Sequence, residues 1–347
     1  MTMPALQTVP VPQTGPTPLC SNRMQVYSIT QETPDVWTIS LVNHDFYPYQ
    51  PGQYALVSIA NSAETLRAYT ISSSPGLSRF ITLTVRRLDD GIGSRWLTQT
   101  LKVGDYLWLS DAQGEFTCAN AVSDRYLMAA AGCGVTPIMS MCRWLLANKP
   151  QTDIHVIFNV RNPLQVIFAR EWQDLVQRYP QQLHLTLMAE FDAAPGFLAG
   201  RISGDLLAEH VPDIASRTVM TCGPAPYMNQ METLSQQLGV ASNRIFKEQF
   251  RPADDMVDED ADQLTLTISR PLKNLRVPVG ISLLAALEAN KMPVVAACRA
   301  GVCGSCKTRV LSGQYTTTST MTLTPAEIEQ GYVLACSCQL QGDAVLA

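Results

Sequence analysis

The stretch Cys298-Arg-Ala-Gly-Val-Cys303-Gly-Ser-Cys306 puts three cysteines and two glycines into nine residues. Such a loop serves a disulfide framework, a zinc site or an iron–sulfur cluster, and the rest of the chain has to choose. With 347 residues, two or three domains are expected. Hydrophobic residues make up 46% and charged residues 16%, the balance of a globular protein with real cores. A net charge of −5 gives no electrostatic support to a nucleic-acid role. No run approaches the ~18 apolar residues of a membrane span. The N-terminal stretch has its first basic residue at Arg23 and no apolar core, so it does not read as a secretory signal. The expectation is a cytoplasmic protein without a membrane partner. Thiols stay reduced there, so clustered cysteines point to metal or catalysis.

The spacing is C-x4-C-x2-C, with Cys336 thirty residues after Cys306. That is the plant-type pattern for a 2Fe–2S cluster. Zinc sites commonly pair C-x2-C elements or add histidine, but only one C-x2-C occurs and His44, His155, His184 and His210 all lie far upstream. Gly301 and Gly304 allow the positive φ angles of a wrapped loop and the approach of N–H groups to sulfur. Cys298, Cys303 and Cys306 are therefore candidate ligands. The fourth is Cys336 or Cys338. On one extended strand both face the same way, so the pattern leaves them equal.

Working outward, the expected fold is multidomain. Residues 1–22 are Pro-rich and read as a disordered tail. Residues 23–120 carry short alternating segments ("VWTISLV", "GQYALVSI", "FITLTVRRL", "YLWLS") between turn residues, the pattern of a small antiparallel β-barrel. Residues 121–250 alternate strands and helices: "RYLMAAA" then "TPIMSMCRWLLAN", "IHVIFNV" then "VIFAREWQDLVQRY", "LHLTLMAE", and "TVMTCG" then "APYMNQMETLSQQLG". They predict an α/β doubly wound parallel sheet. Residues 251–262 form an acidic linker. Residues 263–347 form a compact α+β domain of β-grasp type, with "YVLACSCQL" read as a strand.

Three further motifs carry chemistry. "YLMAAAGCGVTPIMSM" is a strand, a Gly-rich loop and a helix. Gly132 and Gly134 let backbone approach a pyrophosphate, and Pro137 fits the first helical position. Alone, G-x-G-x-x-P is also an ordinary tight turn. "TCGPAPY" ends a later strand at the same sheet edge, where Cys222 is otherwise a core thiol. "LRAYTISSSP" offers Arg67, Tyr69 and Thr70. These suit a flavin (guanidinium to phosphate, ring against ring, hydroxyl to ring nitrogen) or a plain strand end. Gly93-Ser94, before a short helix, could supply N–H groups to the same phosphates.

Together, Arg67-x-Tyr69-Thr70, Gly91-x-Gly93-Ser94, Gly132-x-Gly134-x-x-Pro137 and Cys222-Gly223-Pro224 follow the motif order of the ferredoxin–NADP reductase superfamily. The chain resembles its iron–sulfur flavoprotein members from residue 23 to residue 347. "SAETLRAYTISS", "PVVAACRAGVCG" and "GYVLACSC" resemble most the bacterial reductases that serve hybrid-cluster protein. The resemblance implies FAD and a 2Fe–2S cluster as cofactors and NADH as substrate. It also implies hybrid-cluster protein as electron acceptor, with a link to nitric oxide and nitrosative stress. Arg67 would hold flavin phosphates, Tyr69 pack on the isoalloxazine and Thr70 bond near its N5. Gly93 and Ser94 would bind the FAD pyrophosphate. Gly132, Gly134, Thr136 and Pro137 would shape the dinucleotide site, and Cys222 and Gly223 would border the nicotinamide. Within "FKEQF", Glu248 and Phe250 would lie near the flavin, and "LAC" favours Cys336 as fourth ligand. Arg161 could meet a 2′-phosphate or be a loop charge. Arg299, Lys307 and Arg309 could dock an acidic acceptor or serve solubility. Two other functions fit the same chain: the reductase component of a ring-hydroxylating dioxygenase or other oxygenase, and a non-catalytic iron–sulfur redox sensor. Steady NADH consumption would exclude the sensor.

Overall fold

The computed structural model describes residues 15–43, 45–63, 65–250, 262–299 and 301–347. Its first sheet uses β1 (Asn22–Thr33), β2 (Val36–Val42), β3 (Tyr54–Ser58), β4 (Leu66–Thr70), β5 (Ile81–Arg86) and β6 (Tyr106–Leu109) in the order β4-β3-β6-β1-β2-β5. All neighbours are antiparallel. Ile71, just past β4, bridges Leu83 of β5 and closes the ring into a barrel. Alternation drives it: Ile39 and Leu41 point inward to a core with Val57, Leu83, Leu97 and Leu107. A one-turn helix, α1 (Ile92–Arg95), leaves the barrel after β5.

The second sheet is parallel, with strands β7 (Arg125–Ala131), β8 (Asp153–Val160), β9 (Leu183–Ala189), β10 (Phe197–Ala199), β11 (Thr218–Cys222) and β12 (Ile245–Glu248). Helices α2 (Val135–Asn148), α3 (Ala169–Arg178), α4 (Gly204–His210) and α5 (Ala225–Gln237) connect them. Strand β7 is central and buried on both faces, so it reads as a continuous apolar run. The order β10-β9-β8-β7-β11-β12 reverses direction between β7 and β11, which opens a crevice at their carboxyl ends. Buried Arg217 ties the opposite ends together, donating to Asp213 (2.8 Å), Asp153 (2.7 Å) and the Tyr126 carbonyl (3.0 Å). The expected helix over "VIFAREWQDLVQRY" starts only at Ala169, because Phe168 takes a left-handed φ of 61° and buries its ring instead.

The third sheet is mixed: β14 (Leu272–Pro278), β13 (Gln263–Ser269), β17 (Cys338–Leu346), β15 (Lys307–Thr317) and β16 (Tyr332–Leu334), in that spatial order, with β13 and β17 parallel. Helix α6 (Leu283–Ala289), capped by Ser282 on the Ala285 N–H, lays Leu283, Leu284 and Leu287 on the sheet. Short α7 (Pro325–Glu329) opens with a Thr324/Glu327 capping box. The stretch "YVLACSCQL" is not one strand. A 3-10 turn at Ala335–Ser337 separates β16 from β17, so the expectation that Cys336 and Cys338 share a face fails.

Two seams join the sheets, and both start from β4. Just past its carboxyl end, Ser74 donates to the Ser140 carbonyl (2.7 Å), Ser140 donates to the Ser73 carbonyl (2.5 Å) and Arg143 donates to the Ser72 carbonyl (2.5 Å). Arg143 also holds Glu171 of α3. At the other end, the Leu66 N–H donates to the Ala297 carbonyl (3.2 Å). Packing also begins earlier than expected: Cys20, placed by sequence in a disordered tail, is fully buried, because apolar surface from two sheets surrounds it. Residues 1–14 and the acidic run, apart from Asp262, lie outside the described residues. No helix among the described residues is long and apolar enough to cross a membrane.

Candidate redox site

The cysteine loop wraps as its glycines allow. Gly301 and Gly304 take φ of 72° and 76°, and a side chain at either would strike Ser319 or Thr322. The Sγ atoms of Cys306 and Cys336 lie 3.4 Å apart, and Cys303 and Cys336 each contact the Cys298 thiol. The Gly301 N–H points at Cys336 Sγ from 3.2 Å. Four thiols meeting at one point, with an amide aimed at a sulfur, are the donor set and surroundings that a 2Fe–2S cluster requires. Cys338 is elsewhere: it is fully buried in the apolar core and burial pushes its thiol up to about 12. The 3-10 turn brings Cys336 toward the other loop thiols and leaves Cys338 in the core.

The flavin motif sits on β4. A Cβ on Gly93 would come within 2.8 Å of Arg67 Cγ and 3.0 Å of the Tyr69 hydroxyl, so the glycine is the wall against which both side chains rest. Arg67 Nη1 donates to the carbonyls of Leu66 (2.8 Å) and Ala297 (3.0 Å), leaving Nε and Nη2 as its remaining donors for phosphate. Burial and neighbouring Arg299 lower its pKa. Thr70 Oγ1 is buried with no protein partner, which fits a hydroxyl reserved for a flavin. Ser94 is different: its hydroxyl accepts from the Leu88 N–H (3.1 Å) and donates to the Gly91 carbonyl (3.2 Å), so only its backbone can serve phosphate.

The dinucleotide motifs meet in the crevice. A Cβ on Gly134 would lie 2.0 Å from the Cys222 carbonyl oxygen, so the loop and the Cys-Gly-Pro turn touch through backbone alone. Gly132 takes a φ of 55°, Thr136 donates to the Cys133 carbonyl (2.9 Å), and Pro137 is buried in the first turn of α2. Gly223 packs on Ala131 and Tyr227. Cys222 pairs in register with Glu248 of β12, and burial pushes its thiol well up. Glu248 is half-buried, its Oε2 shielded and without a protein partner, and desolvation raises its carboxyl to about 8.

Two residues had no sequence signal. Tyr54 lies opposite Thr70 across β3–β4, and its ring is 3.0 Å from where a Cβ on Gly114 would stand; Glu248 Oε1 is 3.8 Å from that same point. Tyr54 therefore links the flavin strand to the dinucleotide crevice. Arg86, paired with Asp35, lies beside Gly132 (3.1 Å from its notional Cβ), a cation at the phosphate loop. Phe250 is partly exposed at the end of β12.

Three family models match in chain order: an oxidoreductase FAD-binding domain over 24–118, an oxidoreductase NAD-binding domain over 128–233, and a 2Fe–2S iron–sulfur cluster binding domain over 266–341. The chain is 62% identical over 334 residues to "NADH oxidoreductase HCR" of Escherichia coli, covering 96% of this chain and all of that one. It is 29% identical to the glycine betaine monooxygenase reductase subunit of Chromohalobacter salexigens, covering 91% and 92% of the two chains. Among solved structures, a phthalate dioxygenase reductase superposes with a TM-score of 0.61 at 21% identity, covering 93% and 97%.

Three outcomes test the site. Gly134→Ala should slow reduction of the flavin by NADH about a hundredfold in stopped flow, with cluster absorbance intact. Cys303→Ser should lose cluster absorbance while NADH still reduces the flavin. For Glu248, the folded protein keeps a proton that the unfolded chain has lost between the ordinary carboxylate range and about 8. Its contribution to stability is thus fully present below that range and is lost as pH rises to about 8. Glu248→Gln should therefore raise the thermal midpoint more at about pH 9 than at about pH 5.

Proposed function

The chain belongs to the family of the NADH oxidoreductase HCR, FAD- and NAD-binding oxidoreductases with a 2Fe–2S domain, and on that premise we propose that it delivers electrons from NADH to hybrid-cluster protein. It is an NADH oxidoreductase whose electrons run from NADH through FAD to the cluster. The acceptor, its tie to nitrosative stress and a cytoplasmic location are this proposal's own. One observation carries the electron path: five-residue β4, bearing Arg67, Tyr69 and Thr70, is bonded to the dinucleotide half just past one end and to the cluster loop at the other.

When bound, FAD takes a hydride from NADH and the cluster passes its electrons on singly. The chain supplies placement. Gly132 and Gly134 bring backbone N–H groups to the dinucleotide, and Cys222 and Gly223 close the nicotinamide end. Thr70 Oγ1 donates into the flavin position and Tyr69 packs beside it. Glu248, its carboxyl raised by desolvation, holds a proton beside Cys222. Thr136 fixes the phosphate loop, and Arg67 and Arg86 offer positive charge to phosphate.

The second reading, an oxygenase reductase component, draws on the name of the 29% identical relative. The test reduces the holoprotein anaerobically with limiting NADH and mixes it with hybrid-cluster protein. Fast reoxidation of the flavin and iron–sulfur bands is expected. Both bands staying reduced would remove this acceptor, keep the electron path and favour the oxygenase reading.

A further inference from the structure

The FAD-binding match begins at residue 24, so the turn at residues 17–20 lies outside the motifs that define the flavin site. There the Thr17 N–H donates to the Cys20 carbonyl (3.1 Å), and Thr17 Oγ1 accepts from the Cys20 N–H (3.0 Å). These reciprocal bonds drive the Cys20 side chain inward until it is 0% exposed. Its thiol donates to the Leu56 carbonyl at 3.5 Å. Its apolar neighbours come from both sides of one seam: Leu56 and Leu66 from the barrel, and Ala297, Cys298 and Val302 from the cluster loop. Burial keeps the thiol protonated, its pKa raised to about 11, so a small neutral group fills this space.

We propose that the Thr17–Cys20 turn is a wedge that sets the seat of the cluster loop on the flavin barrel, with Cys20 a positioning residue for electron transfer from flavin to cluster. The proposal rests on the NADH–FAD–2Fe–2S path. Each NADH oxidised yields NAD+, one proton and two electrons. The electrons cross this seam one at a time to the cluster, and the acceptor removes them. Cys20 takes no part in bonding to either group. It acts through the apolar cluster it shares with Leu66 and Cys298, beside the Ala297 carbonyl that β4 holds. A seam this dry has no room for a larger side chain without displacing one wall.

The experiment uses full-length holoprotein carrying Cys20→Phe, mixed anaerobically with NADH in stopped flow. The flavin reduction rate and the cluster content should match those of the unmodified protein. The following step, cluster reduction by the flavin, should slow by about tenfold or more. Cys20→Ala, small and apolar, should restore that step to nearly the original rate. A general fold defect would instead lower cofactor content or slow both steps together, and that outcome overturns the wedge, as does an unchanged second step in loaded Cys20→Phe. If Cys20→Phe fails to fold, Thr17→Val opens the turn by removing its Oγ1 acceptor. Slowing of the second step alone then supports the wedge, and an unchanged step overturns it. Failure of NADH to reduce the flavin in the unmodified protein would sink the electron path itself, a result distinct from all of these.

Discussion

The molecule depends on where β4 is held. The Leu66 N–H and the Arg67 guanidinium converge on one acceptor, the Ala297 carbonyl, immediately before candidate ligand Cys298. Four residues past β4, Ser74 locks onto α2, the helix that begins at the phosphate loop. A strand of five residues spans less than ~18 Å even fully extended. Tyr69 and Thr70 thus sit on a short rigid element with its ends fixed by the two halves that must exchange electrons. Distance and orientation are set where one backbone bond and a few serine and arginine side chains all end on backbone carbonyls, which fixes the strand at both ends.

The polar groups left over at this centre follow the same logic. Buried donors and acceptors normally find partners, yet Thr70 Oγ1 and Glu248 Oε2 have none in the protein. A shielded polar atom without a partner costs stability, so each is a place where a bound group would be favoured. The cluster loop shows the complementary case. Its polar groups are engaged by its own surroundings: Ser319 donates to the Gly301 carbonyl (2.6 Å), and the Ala335 N–H donates to the Cys306 carbonyl (3.0 Å). The thiols are gathered by a loop in which these two carbonyls are already engaged.

Much of this was legible in the sequence, because it was written in periodicities and glycines. Alternation in "VWTISLV" marks a half-buried barrel strand, the unbroken "LMAAA" a strand buried on both faces, and C-x4-C-x2-C a wrapped cluster loop. What escaped was decided by tertiary contact. Phe168 belongs to a helical stretch by pattern, yet its ring is drawn into the core and the helix starts after it. Cys336 and Cys338 are equivalent by period, but a turn that closes on the cluster loop separates them. Tyr54 and Arg86 carry no motif and matter only because β3 and β5 bring them beside Thr70 and Gly132. Cys20 follows a Pro-rich stretch that gives no hint of order; its burial depends on surfaces some 40 and 280 residues away in sequence.

The same kind of contact holds the basic residues around the cluster. By sequence they could dock an acidic acceptor or serve solubility. In the structure Arg299, itself at a left-handed φ of 56°, pairs with Glu288 of α6. Lys307 pairs with Glu327 of the α7 capping box. Arg309 donates to the Gln330 carbonyl (2.9 Å) and lies over the Tyr332 ring. Arg299 and Lys307 are thus paired with carboxylates, while Arg309 meets only a carbonyl and a ring and keeps its charge. These contacts tie the loop and its following strand to α6, to the cap of α7 and to the turn after it. The Arg299–Glu288 pair also faces the barrel: both charges act on Arg67 of β4, so the clamp on α6 and the barrel seam meet at one guanidinium.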